Sequence, residues 1–390
     1  MELSRPAFAA EPPREPIAVC GIECQRVLPE PSLADLEQRL SYETVREDGT
    51  RSVTEVSLLG HYNTSMPSFP SQLAGSTHRR QKRQVYGTDS RFVIADKQYT
   101  TSYPFSTTVK VSTGCSGILL SPRHVLTAAH CIHDGQDYLK SAKKLRVGIL
   151  KLRTRRGTGR RGGQGKGRRR KAEGDTAEGK GGRRRGRKNR SRRSTEDKQP
   201  SFRWTRVKQT RIPKGWFRNV SQEVAVDYDY ALLELKRPQK QKYMDLGVVR
   251  SIKGLPAGRI HFSGFDDDRP NQLVYRFCSV SDESSDLLYQ HCDAQPGSSG
   301  SGVYIRLKEP GKKKWRRKIV AVFSGHQWVD VNGEQQDYNV AVRITPLKYA
   351  QICHWINGDS SVCQNQVKVS ATARARKEDG DGKMESGLAG

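Results

Sequence analysis

No stretch of this chain approaches the roughly 20 consecutive apolar residues that a membrane-crossing helix requires, which argues against a helical membrane protein. Met1 to Ala10 likewise lacks the apolar core of a secretory leader, so the expectation is a leader lying outside this sequence. None of the eight cysteines falls in a C-x-x-C pair, and no metal or cofactor is expected. Segment 151–199 contains no aromatic residue and sets 21 Lys or Arg against 5 Asp or Glu. It cannot bury a core, and it lacks the stacking platform that single-strand nucleic-acid binders use.

That segment contributes +16 of the formal net charge of +28. It reads as a basic disordered loop inserted in a β-rich domain. Flexible positive charge favours polyanions through counterion release, so heparan sulfate or a similar matrix glycan is its expected partner. A plain solvated loop, a convertase-cut loop and a nucleic-acid site stay open. Core-forming sequence is confined to about 85–150 and 202–363, where short apolar runs are bounded by Gly, Pro and Ser, the pattern of antiparallel strands. Strands are predicted near 202–207, 259–263, 272–280, 287–291, 302–307, 318–323 and 338–343, and a helix over 346–357. Residues 1–83 read as a largely irregular pro-segment with a short helix at 32–41 and weak β character near 53–59. Residues 364–390 read as a disordered tail.

Three blocks carry the chemistry. Gln295-Pro296-Gly297-Ser298-Ser299-Gly300-Ser301-Gly302 is a turn of small residues that exposes one hydroxyl and frees amides to meet a developing oxyanion. A serine hydroxyl is inert at neutral pH without a base and a group to orient that base. Thr127-Ala128-Ala129-His130-Cys131 supplies a histidine among small neighbours, and Asp229-Tyr230-Ala231-Leu232-Leu233 places a carboxylate at the mouth of an apolar β run.

In this order the blocks resemble the signatures of chymotrypsin-like serine proteases, and residues 84–363 are similar to the vertebrate group of serine proteases 23 and 35. The resemblance implies an all-β fold of two antiparallel six-stranded β-barrels with a short C-terminal helix, the first barrel over about 84–235 and the second over 236–363. It carries over His130 as base, Asp229 as orienter, Ser299 as nucleophile, and the amides of Gly297 and Ser299 as the oxyanion hole. It pairs Cys115 with Cys131 in a histidine loop. Cys278 with Cys292 closes the loop before the nucleophile, and Cys353 with Cys363 ties the terminal helix. Cys20 and Cys24 either pair together or tether the pro-segment. Asp293 stands where trypsin-like enzymes hold the carboxylate that selects Arg or Lys. Ser324, Gly325 and His326 fall at the substrate-binding edge and pocket, His326 being the alternative selector, of an acidic side chain.

Ser298 occupies the position of the aspartate that captures a new N-terminus in trypsin-like zymogens. Arg80-Gln81-Lys82-Arg83 fits a furin-like convertase that cuts after Arg83 and leaves Gln84 as terminus. Sequons at Asn63, Asn189 and Asn219 agree with a secreted, glycosylated, extracellular protein, expected to be a monomer. The functional expectation is a secreted serine endopeptidase acting on a protein or peptide substrate. The alternative is an inactive protease-like module that binds matrix polyanions or protein partners.

Overall fold

Short runs such as Val109 to Val111, Ile118-Leu119 and Val125-Leu126 are too brief for helices and lie between glycine and serine turns, so they bury as strands. A computed structural model describes residues 7–9, 30–59, 85–151, 201–218, 222–253, 255, 258–308, 315–331, 334–359 and 362–363. Cys20, Cys24, the sequons at Asn63, Asn189 and Asn219, the Arg83–Gln84 bond, segment 152–199 and the tail beyond 363 lie outside these residues.

The described chain begins with β1 (Ala7–Ala9), α1 (Leu33–Leu40), the hairpin β2 (Tyr42–Arg46) and β3 (Arg51–Thr54), and β4 (Ser57–Leu59), which pairs in parallel with β1. After β5 (Phe92–Val93) and the single turn α2 (Lys97–Thr100) comes the first barrel. It consists of β6 (Thr108–Val111), β7 (Ser116–Leu119), β8 (His124–Thr127), β9 (Arg146–Lys151), β10 (Ser201–Pro213) and β11 (Ala231–Leu235). Pairing of β10 with β11 closes it. A short helix, α3 (Gln222–Asp227), leads into β11. The second barrel takes β12 (Arg259–Gly264), β13 (Val274–Glu283), β14 (Leu287–Gln290), β15 (Gly302–Lys308), β16 (Trp315–Val331) and β17 (Glu334–Arg343), closed by β12 with β13. Helix α4 (Pro346–Asn357) follows. Thr345 caps its start, Pro346 fills its first turn, and Gly358 at φ +73° ends it in the left-handed region. Two closed six-stranded antiparallel barrels and a C-terminal helix are the chymotrypsin architecture. Among the described residues no helix is long and apolar enough to cross a membrane.

One expectation is extended and one is corrected. The helix expected at 32–41 is α1, closed by a reciprocal capping box of Ser32 and Asp35, and the β character near 53–59 is β3 and β4; the unexpected strand is β2, which adds to the outer part of β10 through Gln209–Pro213. Tyr42 and Thr44 alternate inward on β2, so a strand that carries Glu43 and Arg46 still contributes to the core. Leu40, Tyr42, Val56 and Leu58 join the same apolar cluster as the first barrel. Residues from 85 do not open the first barrel. β5 pairs with Val274 and Tyr275 of the second barrel, and Ile94 N–H donates to the Leu273 carbonyl.

The contact between this segment and the second barrel is ionic. Arg91 reaches Asp266 (2.8 Å), Asp268 (2.7 Å) and Asp89 (2.9 Å), while the fully buried Arg276 donates to both carboxylate oxygens of Asp266 at 2.5 and 2.6 Å. The Arg91 side chain beside it lowers the pKa of Asp89 to about 2.

Three buried histidines, His124, His133 and His261, have pKa values lowered to about 4, chiefly because burial disfavours the imidazolium. Nδ1 of His133 also accepts from the Gly135 N–H at 3.0 Å, a bond available only to the neutral ring. The unfolded chain therefore binds more protons than the native one between about pH 6.5 and pH 4, and stability falls as pH drops through that window. The thermal midpoint is expected to decline over that range, and His133→Gln to flatten the decline. A midpoint unchanged from pH 7 to pH 4 would contradict this assignment.

Candidate active site

Ser299 sits on the turn before β15, whose shape depends on two glycines in the left-handed region, Gly297 (φ +96°) and Gly300 (φ +79°). The crowding is as strict as the dihedral. A Cβ on Gly297 would lie 2.3 Å from the Phe265 carbonyl, and one on Gly300 would lie 2.2 Å from Thr127 Oγ1. At Gly302 it would strike Ile118 of β7 at 2.4 Å, so this glycine lets the barrels approach beside the serine.

Histidine and aspartate come from the first barrel. His130 lies in a 3₁₀ turn, Ala129–Cys131, directly after β8, and the Cys115–Cys131 disulfide (S–S 2.07 Å) fastens that turn to the start of β7. Asp229 is fully buried between α3 and β11. Its Oδ1 accepts from the His130 backbone N–H at 2.8 Å, its Oδ2 lies 2.7 Å from His130 Nδ1, and the Ser324 hydroxyl donates to the same Oδ2 at 2.5 Å. A carboxylate can only accept, so the proton of the neutral imidazole belongs on Nδ1. Nε2 is left to accept, and it lies 2.7 Å from Ser299 Oγ. Ser299 Oγ is also 3.1 Å from the Ser324 carbonyl.

Ser116 fastens the serine turn from the opposite barrel. Its hydroxyl donates to the Gly297 carbonyl (2.8 Å) and its N–H to the Ser299 carbonyl (2.8 Å). The Pro296 carbonyl accepts from Asp267 N–H and the Ser298 carbonyl from Ser301 N–H. In a planar trans peptide the N–H points opposite to the carbonyl, so these bonds fix the directions of the Gly297 and Ser299 amides. Neither hydroxyl role, that of Ser116 or of Ser324, has a signal in local sequence; both arise from neighbours more than 90 positions away.

One specificity assignment is corrected. Asp293 is 1% exposed and offers no carboxylate to a bound side chain: its oxygens accept from Tyr86 N–H (2.6 Å), Ser90 N–H (2.7 Å) and Ser90 Oγ (2.6 Å). Ser324, on β16, directs its hydroxyl to Asp229. Gly325 lies at a register shift between β16 and β17, opposite Val340. His326 has a side chain 1% exposed, with Nε2 3.5 Å from Asp337 Oδ2 and the ring edge-on to Trp328. Ser298 is buried, its hydroxyl donating to the Gln295 carbonyl at 2.6 Å. Disulfides Cys278–Cys292 (2.03 Å) and Cys353–Cys363 (2.09 Å) brace the β13–β14 hairpin and α4.

A serine, a histidine and an aspartate hydrogen-bonded across two such barrels place the chain in the trypsin class, and the family model described as Trypsin matches residues 93–175. The similarity extends much further against individual relatives. "Inactive serine protease 35" of Bos taurus is 66% identical over 368 residues, covering 93% of this chain and 89% of that one. Its Homo sapiens counterpart is 62% identical over 371 residues, with the same coverage of 93% and 89%. "Serine protease 23" of Homo sapiens is 48% identical over 364 residues, covering 93% and 88%. The chain belongs to this group of trypsin-family proteins, the serine protease 35 and 23 group.

Proposed function

We propose that this chain is a secreted serine endopeptidase that cleaves peptide bonds through an acyl-enzyme. Ser299 Oγ attacks the scissile carbonyl as its proton passes to His130 Nε2. Buried Asp229 then faces the imidazolium and stabilises it. The carbonyl oxygen, now an oxyanion, is met by the Gly297 and Ser299 amides. His130 returns its proton to the leaving amine, and water, deprotonated by the same nitrogen, hydrolyses the ester. Secretion, glycosylation at Asn63, Asn189 and Asn219, and convertase cleavage after Arg83 belong to the same reading, in line with a disulfide-braced chain.

The observation that supports it is the continuous hydrogen-bonded series from Ser324 through Asp229 and His130 to Ser299. A fluorophosphonate probe tests it, because such a probe modifies only a serine whose base is assembled. Purified protein, with and without convertase treatment, is expected to label, and Ser299→Ala to abolish the label. Absence of labelling in folded, cleaved protein would shift the assignment to a second reading, a non-catalytic module that binds partners through its surface. That reading draws on the word "Inactive" in the name of the serine protease 35 relatives.

A further inference from the structure

A cleft of about 710 Å³ lies away from Ser299, on the first barrel, between the β2–β3 hairpin and the residues joining into β9 and β10. The hairpin lines it with Arg46 and Arg51, and the barrel with Lys143, Lys144 and Arg146 from one strand approach and Arg206 and Lys208 from another.

The acidic groups in the same cleft are already engaged. Glu47 pairs with Arg206 (3.4 Å) and Lys236 (2.9 Å), Asp137 pairs with Arg51 (2.6 Å), and Asp48 accepts from Thr50 N–H (2.9 Å). Lys208 in turn is held by Glu234 at 2.8 Å. Arg46, Lys143, Lys144 and Arg146 remain, all exposed, and none has an ion-paired carboxylate within 4 Å among the described residues. Four cations without a salt bridge around one concave surface raise its local potential, and a concave low-dielectric wall concentrates that field. Asp48 offsets part of the charge of Arg46, and the Arg146 guanidinium rests over the Trp204 ring at 5.9 Å, so a net positive surface stays open to an anion.

We propose that the cleft between the β2–β3 hairpin and the first barrel binds a linear sulfated polysaccharide, its sulfates spaced along Arg46, Lys143, Lys144 and Arg146. The lining of the cleft favours a glycan over a nucleic acid. A single strand needs aromatic faces for its bases, whereas the one aromatic residue lining this cleft, Tyr138, has its ring covered by the Arg51 guanidinium at 4.8 Å and set edge-on to His133. None of the lining residues belongs to segment 152–199, and the proposal stands whether or not Ser299 is reactive.

The test uses the full-length chain and a size-defined heparin octasaccharide at 0.15 M salt. The triple substitution Lys143→Glu, Lys144→Glu, Arg146→Glu is expected to weaken binding about a hundredfold and to lower the slope of log affinity against log salt, because fewer counterions are displaced. Reversal of three charges on the second barrel, Lys253→Glu, Arg306→Glu and Lys308→Glu, is expected to leave affinity within about threefold of the parent, as only the general field changes. A second measurement does not depend on variants folding: acetylation of lysines, read by mass spectrometry, should show Lys143 and Lys144 protected by the octasaccharide and Lys308 not. Equal losses in both triple variants, or protection absent from Lys143 and Lys144, would overturn the proposal and leave the octasaccharide on segment 152–199. Equal affinity for a single-stranded oligonucleotide of matched charge would also overturn it, since it would show a site that reads charge alone.

Discussion

Asp229→Asn is expected to slow fluorophosphonate labelling of Ser299 by about 10⁴-fold, the scale of loss when the orienting carboxylate becomes an amide. The reason is the direction of two protons. As a carboxylate, Asp229 accepts at once from His130 N–H, His130 Nδ1 and Ser324 Oγ. An asparagine offers one oxygen and one NH₂ group, and an NH₂ facing Nδ1 drives the imidazole proton to Nε2. Nε2 then donates toward Ser299 instead of accepting from it. Raising the pH should partly restore the rate, because a more basic solution deprotonates the serine without the histidine. A rate for Asp229→Asn equal to that of the parent would remove Asp229 from the mechanism.

The second large effect is on stability. Asp266→Ala is expected to cost roughly 3–5 kcal/mol in chemical denaturation, because it leaves the wholly buried Arg276 with a charge and no counter-ion. Arg91 is affected less, since Asp89 and Asp268 still hold it. Replacing both members, as in Asp266→Leu with Arg276→Met, should recover most of the loss, for two apolar groups of similar volume need no partner. A loss below about 1 kcal/mol in the single variant would mean that water reaches Arg276 and the pair is not dry.

What could be read in the chain was whatever has local cause. The helix at Pro346–Asn357 is bounded by a threonine cap, a first-turn proline and a terminal glycine, so both of its ends are written in neighbouring residues. The serine turn is legible for the same reason, its glycines being required by positive φ at Gly297 and Gly300. Residues 222–227 mislead: Val224-Ala225-Val226 is a short β-type apolar run, yet it winds into α3, and only Ala231–Leu235, beyond Asp227 and Asp229, extends as strand. A run that short is ambiguous in periodicity, and tertiary packing decides it. β16 continues to Val331 through Gly325, His326 and Gln327, a polar stretch held as strand by its ladder with β17 rather than by propensity. Asp293 was least legible. Its offset from Ser299 fits a pocket carboxylate, but its partners, Tyr86 and Ser90, lie more than 200 positions earlier, and no local pattern reveals them.

The graft of β2 onto β10 also governs what a single break in the backbone can accomplish. Leu40, Tyr42, Val56 and Leu58 are buried in the apolar interior they share with the first barrel, and five residue pairs join β2 to β10. A nick anywhere between 60 and 84 therefore creates two polypeptides without creating two particles. Such a protein should migrate as separate bands once denatured and elute as one species while native, and its smaller piece should depart only as fast as the barrel itself opens.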